Sequence, residues 1–218
     1  MVKSNPHPEI QFTEPTFDGL YRSSQELGER RVLILQAAYA VLSTEGYQGF
    51  TMRRIANQAQ MHLKTLQHYY ATKKDLLMET LRHIILEKYR EFWEVLSRKR
   101  AENPREILRL VVTYFLNDIK DPITSRFFPE LWALATHDSD AAFVMDHLYS
   151  LYRKNMNELI RAINPTLSEQ KSAQRTVAVV AMVEGLILFM GHGKKRSSEL
   201  QDVEGEIINA AMQIVLMP

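Results

Sequence analysis

Cysteine is missing from this chain altogether. That excludes disulfides, thiolate zinc sites and cysteine nucleophiles, and it suits a reducing, cytoplasmic compartment. Glycine and proline are scarce, eight of each in 218 residues, which disfavours a turn-rich all-β fold. A long apolar run is lacking too. The most hydrophobic stretch, TVAVVAMVEGLILFMG at 176–191, is broken by Glu184. It falls short of the ~20 residues of a membrane span and reads as a buried helix, with no membrane partner. The opening MVKSNPHPEIQFTEPTFDG has three prolines and no signal-peptide core, so residues 1–24 read as a flexible arm.

What is present is helical periodicity. Val32, Leu35, Tyr39 and Leu42 keep a 3.6-residue period in a segment from Glu26 that stops at Gly46. Thr51 caps a short helix, MRRIANQA, and a second short helix lies near 62–70. Thr72 and Asp75 form a capping box ahead of a long helix, 73–100. Asn103-Pro104-Arg105-Glu106 and Asp121-Pro122 are further starts, and Asp138 or Ser139 opens a helix that runs to Ile163. Boxes at Thr166/Glu169 and Ser198/Gln201 precede helices 168–192 and 199–217. The fold class is all-α, about nine helices, with the boundary between a small front unit and a larger rear unit inside the long helix. The domains read as 25–75 and 76–218 after the arm.

The net charge is only +1, but its distribution is uneven. From Gly46 to Lys74, 29 residues, there is no Asp or Glu, while Arg53, Arg54, Lys64, Lys73 and Lys74 fall in that window. A localised positive patch suits a polyanion, because cations that meet phosphates release condensed counterions. A solvated basic face is the plainer explanation, and charge alone does not beat it. The layout adds weight: two short helices joined by a tight turn at Gln60-Met61, after a longer helix, match a helix-turn-helix. At about 100° per residue, Leu66 and Tyr70 share one side of the second short helix. With that side facing Ile55 and Ala59, His68 points away, Lys64 and Thr65 lie on the outward side, and Gln67 and Tyr69 flank it. These side chains suit phosphates and base edges.

The run TMRRIANQAQMHLKTLQHYYATKKDLL resembles the DNA-binding domain of TetR-type bacterial transcriptional regulators. The pattern is carried by Thr51, Ile55, Ala56, Ala59, Thr65, Leu66, Tyr69, Lys73 and Leu76, with Tyr70 replacing the usual Phe. The preceding ILQAAYAVLSTEGYQGFT also looks like the family's first helix. The detailed match covers roughly residues 29–80. The resemblance implies that Thr51 caps the second helix beside a phosphate and that Arg53 reaches DNA from it. It implies that Lys64, Thr65, Gln67, His68 and Tyr69 face the groove, and that Lys73 holds a backbone phosphate. Three positions depart from the family: Gln67 stands for Tyr, Gln60 for Gly at the turn, and His62 for Ser at the recognition-helix cap. A left-handed backbone at Gln60 carries a small penalty, and His is a poor cap.

No other chemistry is organised. His83 and Glu87, and His137 with Asp138 and Asp140, lack a third ligand at a useful spacing, so no metal and no cofactor is expected. Phosphate-loop and nucleophile-elbow patterns are absent, so no catalytic residue is assigned. The aromatics of the rear unit read by default as core. The resemblance implies a pocket for a small-molecule effector there, with Phe115, Phe128, Trp132, Tyr149 and Tyr152 as lining candidates. Glu184, inside an apolar run, requires a partner. Ala178, Ala181, Gly185, Ala210 and Ala211 permit close helix approach, so the last two helices are expected to form a homodimer seam. The function expected is a ligand-responsive repressor that binds a palindromic operator in double-stranded DNA. The alternatives are an all-α ligand-binding protein or enzyme with an incidental basic patch, and a scaffold that uses the helix-turn-helix for protein contacts.

Overall fold

The computed structural model describes residues 10–13, 27–99, 103–195 and 197–217. Among the described residues there are ten α-helices and one 3-10 turn, and no strand. The helices are α1 (Glu29–Gly49), α2 (Met52–Gln58), α3 (Leu63–Tyr69), α4 (Lys73–Lys99), α5 (Pro104–Asp118), α6 (Thr124–Ala135), α7 (Ser139–Ile163), α8 (Glu169–Gly185), α9 (Ile187–Met190) and α10 (Val203–Leu216). The 3-10 turn is Ser198–Leu200.

Local capping chemistry accounts for most boundaries. Thr51 accepts the Arg54 N–H at 3.2 Å ahead of α2. The box before α4 closes in both directions: Asp75 N–H donates to Thr72 Oγ1 at 3.0 Å, and Thr72 N–H to Asp75 Oδ2 at 3.2 Å. Asn103 accepts the Arg105 N–H at 3.0 Å, with Pro104 following it in the first turn of α5. Asp121 accepts the N–H groups of Ile123 and Thr124 ahead of α6, and Asp138 those of Asp140 and Ala141 ahead of α7. Each satisfies donors that a helix start leaves without partners.

Four boundaries differ from the sequence reading. α1 does not end at Gly46: the backbone breaks there, at φ 68°, and one more turn follows to Gly49. The cap of α8 is Ser168, which accepts the Lys171 N–H at 3.3 Å, because Thr166 spends its hydroxyl on Asn164 Oδ1 at 2.7 Å. The segment read as one helix over 168–192 is interrupted at Leu186, whose N–H bonds Val183 in a tightened i−3 turn. The box at Ser198 opens only the 3-10 turn, and α10 starts after Asp202, which lies in the left-handed region at φ 59°. From Glu169 to Met190 the helical stretch is 22 residues, long and apolar enough to cross a membrane by length and composition. Val179, Val180, Val183 and Ile187 are nonetheless buried in the protein core.

The chain divides into two compact units, and the division passes through α4 after Arg90 and through α7 after Leu148. One unit holds α1–α3, the first part of α4, most of α6 and the first part of α7. Its core is built on Ile34, Leu35, Phe50, Ile55, Leu66, Leu76, Leu81 and Phe127. The Arg31–Glu79 pair at 3.7 Å ties α1 to α4. Glu130 of α6 accepts the Tyr47 N–H at 3.1 Å. Its carboxylate lies 2.8 Å from where a Cβ on Gly46 would sit, but that end of the side chain can swing aside, so the break in α1 requires glycine for its positive φ.

The other unit holds residues 10–13, the end of α4, α5, the rest of α7, and α8–α10. Buried Arg175 on α8 donates to the carbonyls of Val215 and Met217 at 3.2 and 2.6 Å, and Asn164 also donates to both. A cation therefore closes the C-terminal, electronegative end of α10. Within the segment read as an arm, residues 10–13 are packed into this unit. Ile10 is buried, Phe12 lies 6.0 Å from Trp93 between ring centroids, and fully buried Asn155 grips the Thr13 backbone. That grip is two hydrogen bonds, Thr13 N–H to Asn155 Oδ1 at 2.6 Å and Asn155 Nδ2–H to Thr13 O at 2.8 Å. The rest of the arm lies outside the described residues.

Candidate nucleic-acid interface and ligand site

α3 is mounted by two side chains of opposite reach. Leu66 is fully buried and Tyr70, just past the helix end, is 3% exposed. Burial, helped by the nearby Glu79 carboxylate, holds the Tyr70 phenol well above its usual pKa. The opposite face presents Lys64, Thr65, Gln67 and His68, all exposed, with Tyr69 half-buried beside His68 at 5.7 Å between ring centroids. The turn into α3 has its cost: Gln60 sits at φ 52°, and His62 caps the helix by backbone only, with no side-chain bond.

The acid-free window overstates the free positive charge. Arg54 donates to Glu45 at 2.7 Å and Lys74 pairs with Asp140 at 2.9 Å and Asp138 at 3.4 Å. Bonds to Asp140 and Asp138 raise the Lys74 pKa. Arg53 and Lys64, both exposed, have no acidic partner among the described residues. Lys73 occupies the first position of α4, half-buried. Its ammonium lies 3.9 Å above the Tyr47 ring and bonds the Tyr47 carbonyl at 3.3 Å. Partial burial lowers its pKa. The net exposed set is Thr51, Arg53 and the α3 strip, flanked by Lys73 on Tyr47. The sequence marks Tyr47 only as part of the glycine-aromatic exit of the first helix, and its contact with Lys73, 26 residues on, is a tertiary feature.

The five lining candidates fall in two groups. In the unit that holds α3, Phe128 and Trp132 lie 6.3 Å apart on α6, and Phe128 is 6.5 Å from Tyr89. In the other unit, Phe115 and Tyr152 pack at 4.3 Å, and Tyr149 donates its hydroxyl to Glu184 Oε2 at 3.0 Å. Burial pushes Glu184 up to about 7, against the lowering effect of the Tyr149 bond, and Asp118 adds to the rise. Burial, then Glu184, Tyr149 and Asp118, hold Tyr152 well above its usual pKa. The same unit has an open groove of about 480 Å³ along α5, lined by residues that include Arg109, Leu110 and Tyr114.

Of the seam candidates, Ala178 and Ala181 are exposed and Gly185 and Ala210 partly so, beside exposed Val177, Leu188 and Phe189. Ala211 is fully buried within its own subunit and has no surface left for a partner. Two of the acids in the metal-ligand pairs are engaged within the fold. Asp138 is a helix cap and Asp140 an ion-pair partner, while the Glu87 side chain lies outside the described residues. No cluster of three metal-ligating residues occurs among the described residues.

A helix-turn-helix with an outward polar recognition strip, followed by a helical receptor-like unit, defines a DNA-binding regulator of the one-component type. The model of the bacterial regulatory proteins of the tetR family matches residues 34–80, and that of the BetI-type transcriptional repressor C-terminal domain matches 104–201. The chain belongs to the TetR family of transcriptional regulators, a family of regulators and not of enzymes. It is 24% identical over 165 residues to the HTH-type transcriptional regulator BetI of Burkholderia cenocepacia, covering 73% of this chain and 80% of that one. In fold it is similar to a TetR transcription regulator from Haloarcula marismortui, at TM-score 0.67 and 19% identity, covering 85% of this chain and 96% of that one. It is also similar to a transcriptional regulator from Saccharomonospora viridis in complex with choline, at TM-score 0.69 and 19% identity, with 85% and 94% covered.

Proposed function

We propose that this protein is a cytoplasmic, ligand-responsive repressor that binds a roughly palindromic operator as a homodimer and is released by a small-molecule effector. The observation that carries the reading is the α3 strip. Lys64, Thr65, Gln67 and His68 are exposed together, while Leu66 and Tyr70 anchor the opposite side. A rigidly mounted helix with base-reading side chains outward suits the major groove. Lys64 and Gln67 read base edges in this scheme. Lys73 and Arg53 position the backbone, Thr51 caps α2 beside a phosphate, and His68 and Tyr69 pack along the groove wall. The two-fold partner docks on α8 and α10, supported by exposed Val177, Leu188 and Phe189 beside Ala178, Ala181, Gly185 and Ala210. The effector occupies the receptor unit, with Phe115, Tyr149 and Tyr152 as its aromatic contacts. Release requires that the effector bind the two DNA-binding geometries with different affinity.

Selection of bound duplex from a random pool, followed by gel-shift titration at several salt concentrations, tests this. Lys64→Ala and Gln67→Ala should change the selected sequence, with a loss of about 1–3 kcal/mol on the preferred site. Lys73→Ala should weaken all sequences alike and reduce the salt slope by about one. The absence of salt-sensitive duplex binding by the unaltered protein would refute the reading.

A further inference from the structure

Residues 10–13 are held by the receptor unit in the way a bound peptide is held. They lie outside every helix, and among the described residues no main-chain bond ties them to the rest of the fold. Their side chains alternate between core and solvent. Ile10 is 2% exposed, Gln11 is exposed, and Phe12, half-buried, meets Trp93 at 6.0 Å between ring centroids. The Thr13 main chain is gripped by Asn155 of α7, which accepts its N–H at 2.6 Å and donates to its carbonyl at 2.8 Å. Main-chain bonds that give affinity, with seats for alternate side chains that give specificity, are how proteins recognise extended peptides.

Asn155 fixes the chemistry of the occupant. Its side chain is fully buried, and it commits one acceptor and one donor to a single residue. An apolar guest leaves both ends of that amide buried and unsatisfied, which is costly. An anion accepts from Nδ2 alone, and a cation donates to Oδ1 alone. A peptide residue supplies the donor and the acceptor together. The aromatic seat also exists apart from the segment. Trp93 meets Phe115 at 6.5 Å, and Phe115 meets Tyr152 at 4.3 Å, so Phe12 extends a ring cluster that the helices themselves build. Ordering four residues costs conformational entropy that is set against only two hydrogen bonds and two apolar seats, which keeps exchange accessible. We propose that this seat is a peptide-recognition site, filled by the chain's own residues 10–13 as a tethered ligand. By exchange it takes an extended peptide of the pattern apolar, any residue, aromatic, any residue but proline.

The test is fluorescence anisotropy of a labelled peptide of residues 9–14, Glu-Ile-Gln-Phe-Thr-Glu, titrated with the full-length protein. The double variant Ile10→Asp, Phe12→Ser empties the seat from the segment's side and leaves every helix and Asn155 unaltered. The peptide should bind this variant at least about tenfold more tightly than the unaltered chain, whose own segment competes from its tether. N-methylation of the peptide's threonine removes the N–H that Asn155 accepts and should weaken binding at least about tenfold. Gln11→Ala in the peptide should leave the affinity within about twofold. Equal binding to both proteins, indifference to N-methylation, or no binding to the variant at millimolar peptide each overturn the proposal. So does loss of helical circular dichroism in the variant, which would make the segment a fixed part of the core and not an exchangeable occupant. None of these readouts involves DNA, so the result stands apart from the regulator reading.

Discussion

Glu184 is an acid held where its charge is poorly solvated. Its pKa in the folded chain is pushed up to about 7, chiefly by burial. The folded state therefore holds this proton more tightly than the unfolded chain, where a carboxyl titrates near its ordinary value. Stability gained from the protonated form is complete below that ordinary value and is lost as pH rises from there through about 7. Glu184→Gln removes the penalty. In chemical denaturation without ligand, the variant should match the unaltered protein near pH ~4 and exceed it by about 1–3 kcal/mol near pH ~8. Equal stability at both would show that Glu184 ionises freely. Lys73 meets the same effect in milder form: partial burial lowers its pKa, while contact with the Tyr47 ring and carbonyl holds its ammonium at the start of α4.

At the scale of elements, helix starts were legible because caps are local chemistry. Thr51, Asn103 and Asp138 each bond N–H groups two or three residues on, within reach of any sequence reading. So was the outward face of α3, which follows from the 3.6-residue period once Leu66 and Tyr70 are turned inward. What was not legible depends on residues far apart in the chain. The charge of Lys74 is met by Asp138 and Asp140, and the break at Gly46 is occupied by the Glu130 carboxylate. A window of sequence contains no trace of either. The sequence shows that Glu184 needs a partner but not which one, since Tyr149 lies on another helix. The poor cap at His62 was legible, and its consequence can be measured. His62→Ser should place a hydroxyl in reach of the first-turn N–H groups of α3 and raise stability by about 0.5–1 kcal/mol in thermal denaturation. No gain would mean that those donors are already satisfied.

Among the described residues, the three most exposed large apolar side chains lie close together in the sequence. Val177 is 53% exposed, Leu188 63% and Phe189 57%, all on or just after α8, a concentration that a soluble surface avoids without a partner. In the proposed dimer these residues are covered. The double variant Leu188→Asp, Phe189→Asp should sediment as a monomer in analytical ultracentrifugation. It should also lose the joint occupancy of two half-sites, with α3 unchanged. A variant that still sediments as a dimer would place the seam elsewhere.

The bond pair between Asn155 and Thr13 bears on how the first residues tolerate change. At Thr13, Asn155 bonds peptide groups, an N–H and a carbonyl, and asks nothing of the side chain at 13 beyond its not being proline. Ile10 and Phe12 fill their seats by position. An exchange of Gln11 or Thr13 for most other residues leaves this grip intact. Insertion or loss of a single residue between 10 and 13 pulls either an apolar side chain or the backbone pair out of place. The segment is therefore held by spacing more than by the identity of the side chains at 11 and 13.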